Sequence, residues 1–201
     1  MAKPEYHLRK SDAVLAAAMK KIVLRPRQPE KDRFRALVRA ILGQQISTKA
    51  ADSITARFQA LFPGAAFPSA SQVLKMPDKK LRAAGLSRAK ASYVKDLARA
   101  VASNALDLAA LDRLEDAQVM AELMKIKGIG QWTAEMFLMF SLGRPDVFSA
   151  GDLGLQNAVK RLYRLRSHPD KKKMQRLAAA WKPYRTLAAR YLWASLNIEL
   201  D

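Results

Sequence analysis

The sequence predicts an all-α fold of about ten short helices, and three observations predict it. Gly and Pro are few, 8 and 9 among 201 residues, beside abundant Ala and Leu, a balance that favours helices. Apolar residues recur at spacings of three and four. Alternating strand patterns are missing, as are repeats and low-complexity tracts. Half of the chain is hydrophobic, enough for one compact domain or for two small lobes sharing a core.

The elements follow in order. Ser11 or Asp12 can cap a helix to about Ile22, and Pro26 and Pro29 then break the chain. Phe34, Leu37, Val38, Ile41 and Leu42 share one face of a helix over Lys31–Leu42. The loop "GQQIS" (Gly43–Ser47) leads to a helix capped by Ser47 and reaching about Leu61. After the loop "FPGAAFPS", small helices at Ser69–Lys75 and Asp78–Ala84 flank Pro77. Gly85-Leu86-Ser87 breaks again, and Ser87 caps a helix to about Ala102. Helices follow at Glu115–Lys125 and Gln131–Leu142, then a loop, "GRPDVFSAG", punctuated by Gly143, Pro145 and Gly151. Asp152 opens a helix to about Leu165, and Pro169-Asp170 start one ending near Trp181. Pro183, read as a first-turn proline, begins the last helix, through about Asn197.

Charge narrows the function. Thirty-six Lys and Arg stand against eighteen Asp and Glu, a net +18. A helical protein this basic is expected to meet a polyanion; surface solubility is the plainer explanation. The lack of cysteine excludes disulfides, an iron–sulfur cluster and cysteine-ligated zinc. His7 and His168, the two histidines, lie away from every motif, which argues against a Ser–His–Asp triad or a histidine-rich metal site. "MAKPEYHLRK" has no apolar core of a secretory signal, and no stretch approaches the ~20 apolar residues of a membrane span. No membrane partner is expected.

Lys127-Gly128-Ile129-Gly130 sits between two helix-like stretches. Glycine takes positive φ and brings no Cβ into close approaches. The segment can turn tightly, present its main-chain N–H groups outward and open the next helix at its positive dipole end. On so basic a chain, that cradle suits a nucleic-acid phosphate. An ordinary helix–turn–helix corner would use the same residues. A dinucleotide fingerprint is not expected, because no strand precedes the glycines and the third glycine is missing.

"MKIKGIGQWTAEMF" followed by "DVFSAGDLGL", with "VRAILGQQIS" and "WKPYRTLAARYLW", resembles the helix-hairpin-helix (HhH-GPD) DNA glycosylases. The resemblance is closer to their 3-methyladenine DNA glycosylase II branch, which removes alkylated bases, and it covers roughly Phe34 to Asn197. It implies an HhH-GPD glycosylase fold of two helical lobes without a β domain, one near 31–110 and the other from 1–30 with 111–201. The hairpin would lie at about 115–142 and a cleft between the lobes. The implied partner is double-stranded DNA carrying damaged bases, bound by a monomer. The implied location is the bacterial cytoplasm, with the nucleoid, or the eukaryotic nucleus. No cofactor is required.

The resemblance also assigns residues. The hairpin segment Lys127, Gly128, Gly130 and Gln131 would hold a phosphate of the damaged strand. The carbonyls of Met124, Ile126 and Ile129 would hold a Na⁺ or K⁺ ion. Asp152, by itself a good helix cap, falls on the family's essential aspartate, where a fixed carboxylate stabilises an oxocarbenium-like sugar and orients water. Relatives often carry a second acid just before it, where this chain has Gly151. Bifunctional members place a nucleophilic lysine where Trp132 stands, so a monofunctional enzyme without lyase activity is expected. Trp132, Met136 one turn on, and Trp193 would wall the base pocket, although tryptophans are also ordinary core residues. N3-methyladenine and N7-methylguanine are cationic, good leaving groups that stack well on indole. Gln45, with Ile46 beside it, would fill the gap left by a flipped base; the same loop also reads as a plain helix start.

Lys49, Arg57, Arg88, Lys90, Lys127, Arg144 and Arg161 are candidate phosphate contacts, and Lys171–Lys173 a solvated face. Two rival functions remain. Gly151 and Met136 suit a catalytically weak or inactive binder of damaged or distorted DNA. A glycosylase for ethenoadenine, hypoxanthine or uracil would use the same scaffold.

Overall fold

The computed structural model describes residues 3–198, which form twelve α-helices, one 3₁₀ turn and no strand. In chain order the helices are α1 Pro4–Ser11, α2 Ala13–Lys20, α3 Arg33–Gly43, α4 Thr48–Ala60, α5 Ala70–Lys75 and α6 Asp78–Ala83. They continue with α7 Arg88–Ala102, the 3₁₀ turn Ala110–Arg113, α8 Asp116–Met124, α9 Gln131–Phe140, α10 Leu153–Leu162, α11 Lys171–Ala179 and α12 Arg185–Ser195. No helix among the described residues is long and apolar enough to cross a membrane.

Short polar side chains start most of these helices. Asp12, Asp32, Ser47, Ser87, Asp152 and Asp170 each accept a main-chain N–H from the first turn beyond them. Ser69 with Gln72 and Glu115 with Gln118 form reciprocal capping boxes. Such a cap stabilises a helix by about 1 kcal/mol. Three differences from the sequence expectation appear. Helix α1 is additional: Pro4 starts it, but only Leu8 is buried, too little for a periodic signal. The 3₁₀ turn is additional too. The last helix begins at Arg185 rather than at Pro183, whose peptide bond with Lys182 is cis.

The chain divides into two compact units, Glu30–Leu142 and Met1–Pro29 with Gly143–Asp201. In the first unit, α3 buries Phe34, Leu37, Val38, Ile41 and Leu42, each contributing about 1.5–3 kcal/mol of transfer free energy. That helix packs on α4, α7 and α9, and α5 packs on α7. Phe58 anchors an aromatic cluster, its ring 5.3 Å from Phe62 and 6.0 Å from Phe67. The hairpin segment belongs with this unit because α9 lies against α3. The expected boundary near residue 110 therefore moves to 142.

The second unit joins α1 and α2 to α10 and α12. Asp12 is its fastener: it caps α2 and accepts Trp181 Nε1–H at 2.9 Å and the Tyr163 hydroxyl. Burial, then the bond to Asp12 and its charge, push the Tyr163 pKa well above its ordinary value. A half-buried carboxylate with three donors is satisfied, so these contacts join the N-terminal helices to the C-terminal segment.

Candidate functional site

At the hairpin, α8 ends and the chain turns through Ile126–Ile129, closed by the Ile129 N–H on the Ile126 carbonyl at 3.0 Å. Ile129 is buried and pins the turn. Gly128 has φ +91°, and a Cβ there would lie 2.3 Å from the Tyr93 ring. Both facts require glycine. Gly130 differs: it precedes α9 at φ −95°, and a Cβ there would meet nothing within 4 Å. Its surroundings are open where a helix N-terminus presents N–H groups. Lys127 and Gln131 are exposed, and the Gln131 side chain donates to Glu135 at 2.8 Å. Trp132, in the first turn of α9, is 42% exposed and so is no core residue. Met136, one turn on, is half-buried.

The 43–47 loop lies in the same unit. Gln45 is exposed and has φ +58°, a region that non-glycine residues seldom occupy. Ile46 beside it is 38% exposed. Gln44 faces the other way, its Nε2 donating to the Gly128 carbonyl at 2.8 Å and to Thr133 Oγ1 at 3.2 Å. The loop and the hairpin are thus hydrogen-bonded to each other, a link the sequence did not disclose.

Asp152 stands in the second unit at the N-cap of α10. Its Oδ1 accepts the Leu155 N–H at 2.7 Å and Trp193 Nε1–H at 2.9 Å. The residue is 9% exposed. Hydrogen bonds to a carboxylate are among the stronger kinds, and two on one oxygen fix its orientation. Both expectations for Asp152 thus concern one geometry, because the cap holds the acid still. Trp193, expected as a pocket wall, is half-buried and turns its indole N–H to the acid. Gly154 makes this possible: a Cβ there would lie 3.1 Å from Asp152 Oδ1 and 3.1 Å from Trp193 Cδ1. Gly151 lies under Lys171, whose Cε would be 3.3 Å from an added Cβ.

The loop leading to Asp152 is braced from α12. Arg185 donates to Asp146 through Nε at 2.7 Å and Nη2 at 3.0 Å, and to its carbonyl at 2.8 Å. Thr186 Oγ1 donates to the Arg144 carbonyl at 2.7 Å and accepts the Val147 N–H at 3.1 Å. The "WKPYRT" stretch, noticed in the sequence as a marker, is therefore a brace. Its Trp181 reaches Asp12, and its Arg185 and Thr186 hold 144–147. A side chain paired 39 residues away leaves no local pattern, which is why sequence reasoning missed these roles.

Three candidate phosphate contacts have other employment. Arg57 Nε donates to the Ala84 carbonyl at 2.9 Å. Arg161 gathers the carbonyls of Ser195, Leu196 and Ile198 at and beyond the end of α12. Lys90 Nζ donates to the Leu42 and Gln44 carbonyls. Lys49, Arg88 and Lys127 are exposed. Among the described residues, no cluster of three or more His, Cys, Asp or Glu suits a metal. The carbonyl set Met124, Ile126 and Ile129 spans the hairpin turn. Ile126 O already accepts one N–H, leaving its second lone pair, and the Gly128 carbonyl is turned to Gln44 instead. Hard carbonyl oxygens at a turn fit an alkali cation.

The family profile described as "HhH-GPD superfamily base excision DNA repair protein" matches residues 38–183. DNA-3-methyladenine glycosylase 1 of Schizosaccharomyces pombe is 35% identical over 170 residues, 84% of this chain and 75% of that protein. YfjP of Bacillus subtilis is 35% identical over 169 residues; the match takes in 82% of this chain but 59% of that longer relative. Among solved structures, the S. pombe 3-methyladenine DNA glycosylase in complex with abasic DNA superposes with a TM-score of 0.89. It is 36% identical, over 96% of this chain and 95% of that one.

Proposed function

The chain belongs to the HhH-GPD superfamily of base excision DNA repair proteins, and from that premise we propose that it is a monofunctional DNA glycosylase for alkylated purines. The observation that carries the chemistry is the pair of donors holding Asp152 Oδ1. An acid fixed in advance stabilises charge without reorganising during the reaction. As the N-glycosidic bond breaks, its electron pair leaves with the purine and cancels the charge of the methylated ring. A water oxygen bonds to C1′, and the water's proton passes to Asp152 and on to solvent. The cationic bases need no general acid, in keeping with a chain of two histidines.

The remaining residues take supporting roles. The main chain at Gly128–Gln131, with Lys127, holds a phosphate, and the carbonyls of Met124, Ile126 and Ile129 hold Na⁺ or K⁺. The ion enters no bond-breaking step. Trp132 and Met136 stack on the flipped base, Gln45 with Ile46 enters the gap it leaves, and Trp193 orients Asp152. No lysine stands at position 132 to form a Schiff base, so the product is an uncut abasic strand. The partner is double-stranded DNA with a damaged base.

The test is incubation with methylated duplex DNA and chromatography of the released base. Free 3-methyladenine and 7-methylguanine are expected, with release falling about 100- to 1,000-fold in Asp152→Asn while duplex binding persists. Tight binding with no release from the unaltered protein would instead establish a damage-binding protein. Release of ethenoadenine, hypoxanthine or uracil alone would change the substrate.

A further inference from the structure

Lys90 lies on α7, three residues past its Ser87 cap. Its Nζ donates to the Leu42 carbonyl at 2.7 Å and the Gln44 carbonyl at 2.8 Å. These carbonyls belong to the last turn and C-cap of α3, where the helix runs out of its own donors and a cation is favoured. Half-burial lowers the Lys90 pKa from its ordinary value. Three residues on, Tyr93 covers Gly128 so closely that no Cβ fits between them. One face of α7 therefore touches both the 43–47 loop and the hairpin. Gln44 closes the triangle by bonding to the Gly128 carbonyl and Thr133.

The next residue, Gln45, sits at φ +58°. A left-handed non-glycine residue is strained and persists only where its surroundings hold it. Gln44, the residue immediately before it, is held at its carbonyl by Lys90 and at its side chain by the Gly128 carbonyl and Thr133. We infer that Lys90 is a positioning residue for base flipping: through Gln44 it holds the Gln45 wedge in register with the phosphate-gripping hairpin. The inference rests on the wedge role proposed above for Gln45. It removes Lys90 from the set of phosphate contacts, because its ammonium is directed into the protein's own carbonyls. Lys90 touches neither substrate nor reacting atom; it acts through the loop.

The experiment uses the full chain and a duplex carrying an abasic-site analogue, with 2-aminopurine opposite it to report local stacking. Unaltered protein should change the probe's fluorescence on binding. Lys90→Met should lose that change and slow excision from methylated duplex by about 10- to 100-fold, while the dependence of undamaged-duplex binding on salt keeps its slope. Lys90→Arg, which can still donate to two carbonyls, should restore much of the signal. In a double-mutant cycle, Lys90→Met should add little to Gln45→Ala. Additive losses, or a salt slope reduced by about one, would overturn the inference and return Lys90 to phosphate binding. Should Lys90→Met fold poorly, Gln44→Ala breaks the same link and must give the same loss of signal. The fluorescence readout needs no bond cleavage. An unaltered protein that changes the probe but releases no base would therefore refute the glycosylase reading and leave this one standing.

Discussion

At the hairpin, Gly128 makes room for Tyr93 and Gly130 leaves the main chain open; at Asp152, two N–H groups and a missing Cβ close around one carboxylate oxygen. The first region works by the absence of side chains, so its requirements are conformational and local. The second works by side chains brought from 39 and 41 residues away, so its requirements are tertiary. The two regions should consequently fail in different ways when altered, one through backbone fit and the other through orientation.

The comparison breaks most severely at Gly128. Alanine there combines φ +91° with a clash against Tyr93, and Gly128→Ala should cost about 2–5 kcal/mol of stability, read as a fall in urea midpoint. A midpoint within experimental error of the unaltered protein would mean that the turn readily reforms another way. A smaller effect sharpens the other side. Trp193→Phe keeps a ring but removes the N–H on Asp152, and excision should slow about tenfold in single turnover, near the worth of one charged hydrogen bond. Duplex affinity should stay unchanged; an unchanged rate would make Trp193 a packing residue only. The smallest change in stability is expected at Gly130, where φ is ordinary and space is open. Gly130→Ala should move stability by less than about 1 kcal/mol yet weaken duplex binding, because a methyl group stands where a phosphate should approach. Full binding by Gly130→Ala would move the phosphate site elsewhere.

That contrast also explains what could be read in advance. Helix starts were visible because a cap is a local event: Asp12, Ser47, Ser87, Asp152 and Asp170 each bond to a residue three positions on. The hairpin was visible because glycine spacing is a local event too. Helix α1 was not, since a single buried leucine makes no period. Gly154 gives no signal inside a helical pattern, where only the indole of a distant tryptophan gives its missing side chain a meaning. Lys90 reads as one more cation because sequence records a charge but not the carbonyls it faces. The position of Asp152 was legible, and the means of holding it still was not.

The order of the chain has a consequence of its own. The unit carrying the hairpin is one uninterrupted stretch, Glu30–Leu142, whereas the unit carrying Asp152 needs both Met1–Pro29 and everything from Gly143 onward. Trp181 and Tyr163, the partners of Asp12, leave the ribosome long after Asp12 itself. During synthesis the hairpin unit can mature while α1 and α2 wait for their complement, since domains generally fold as units from the N-terminal side. On the roles proposed above, a nascent chain would complete its phosphate-binding hairpin before the acid it serves.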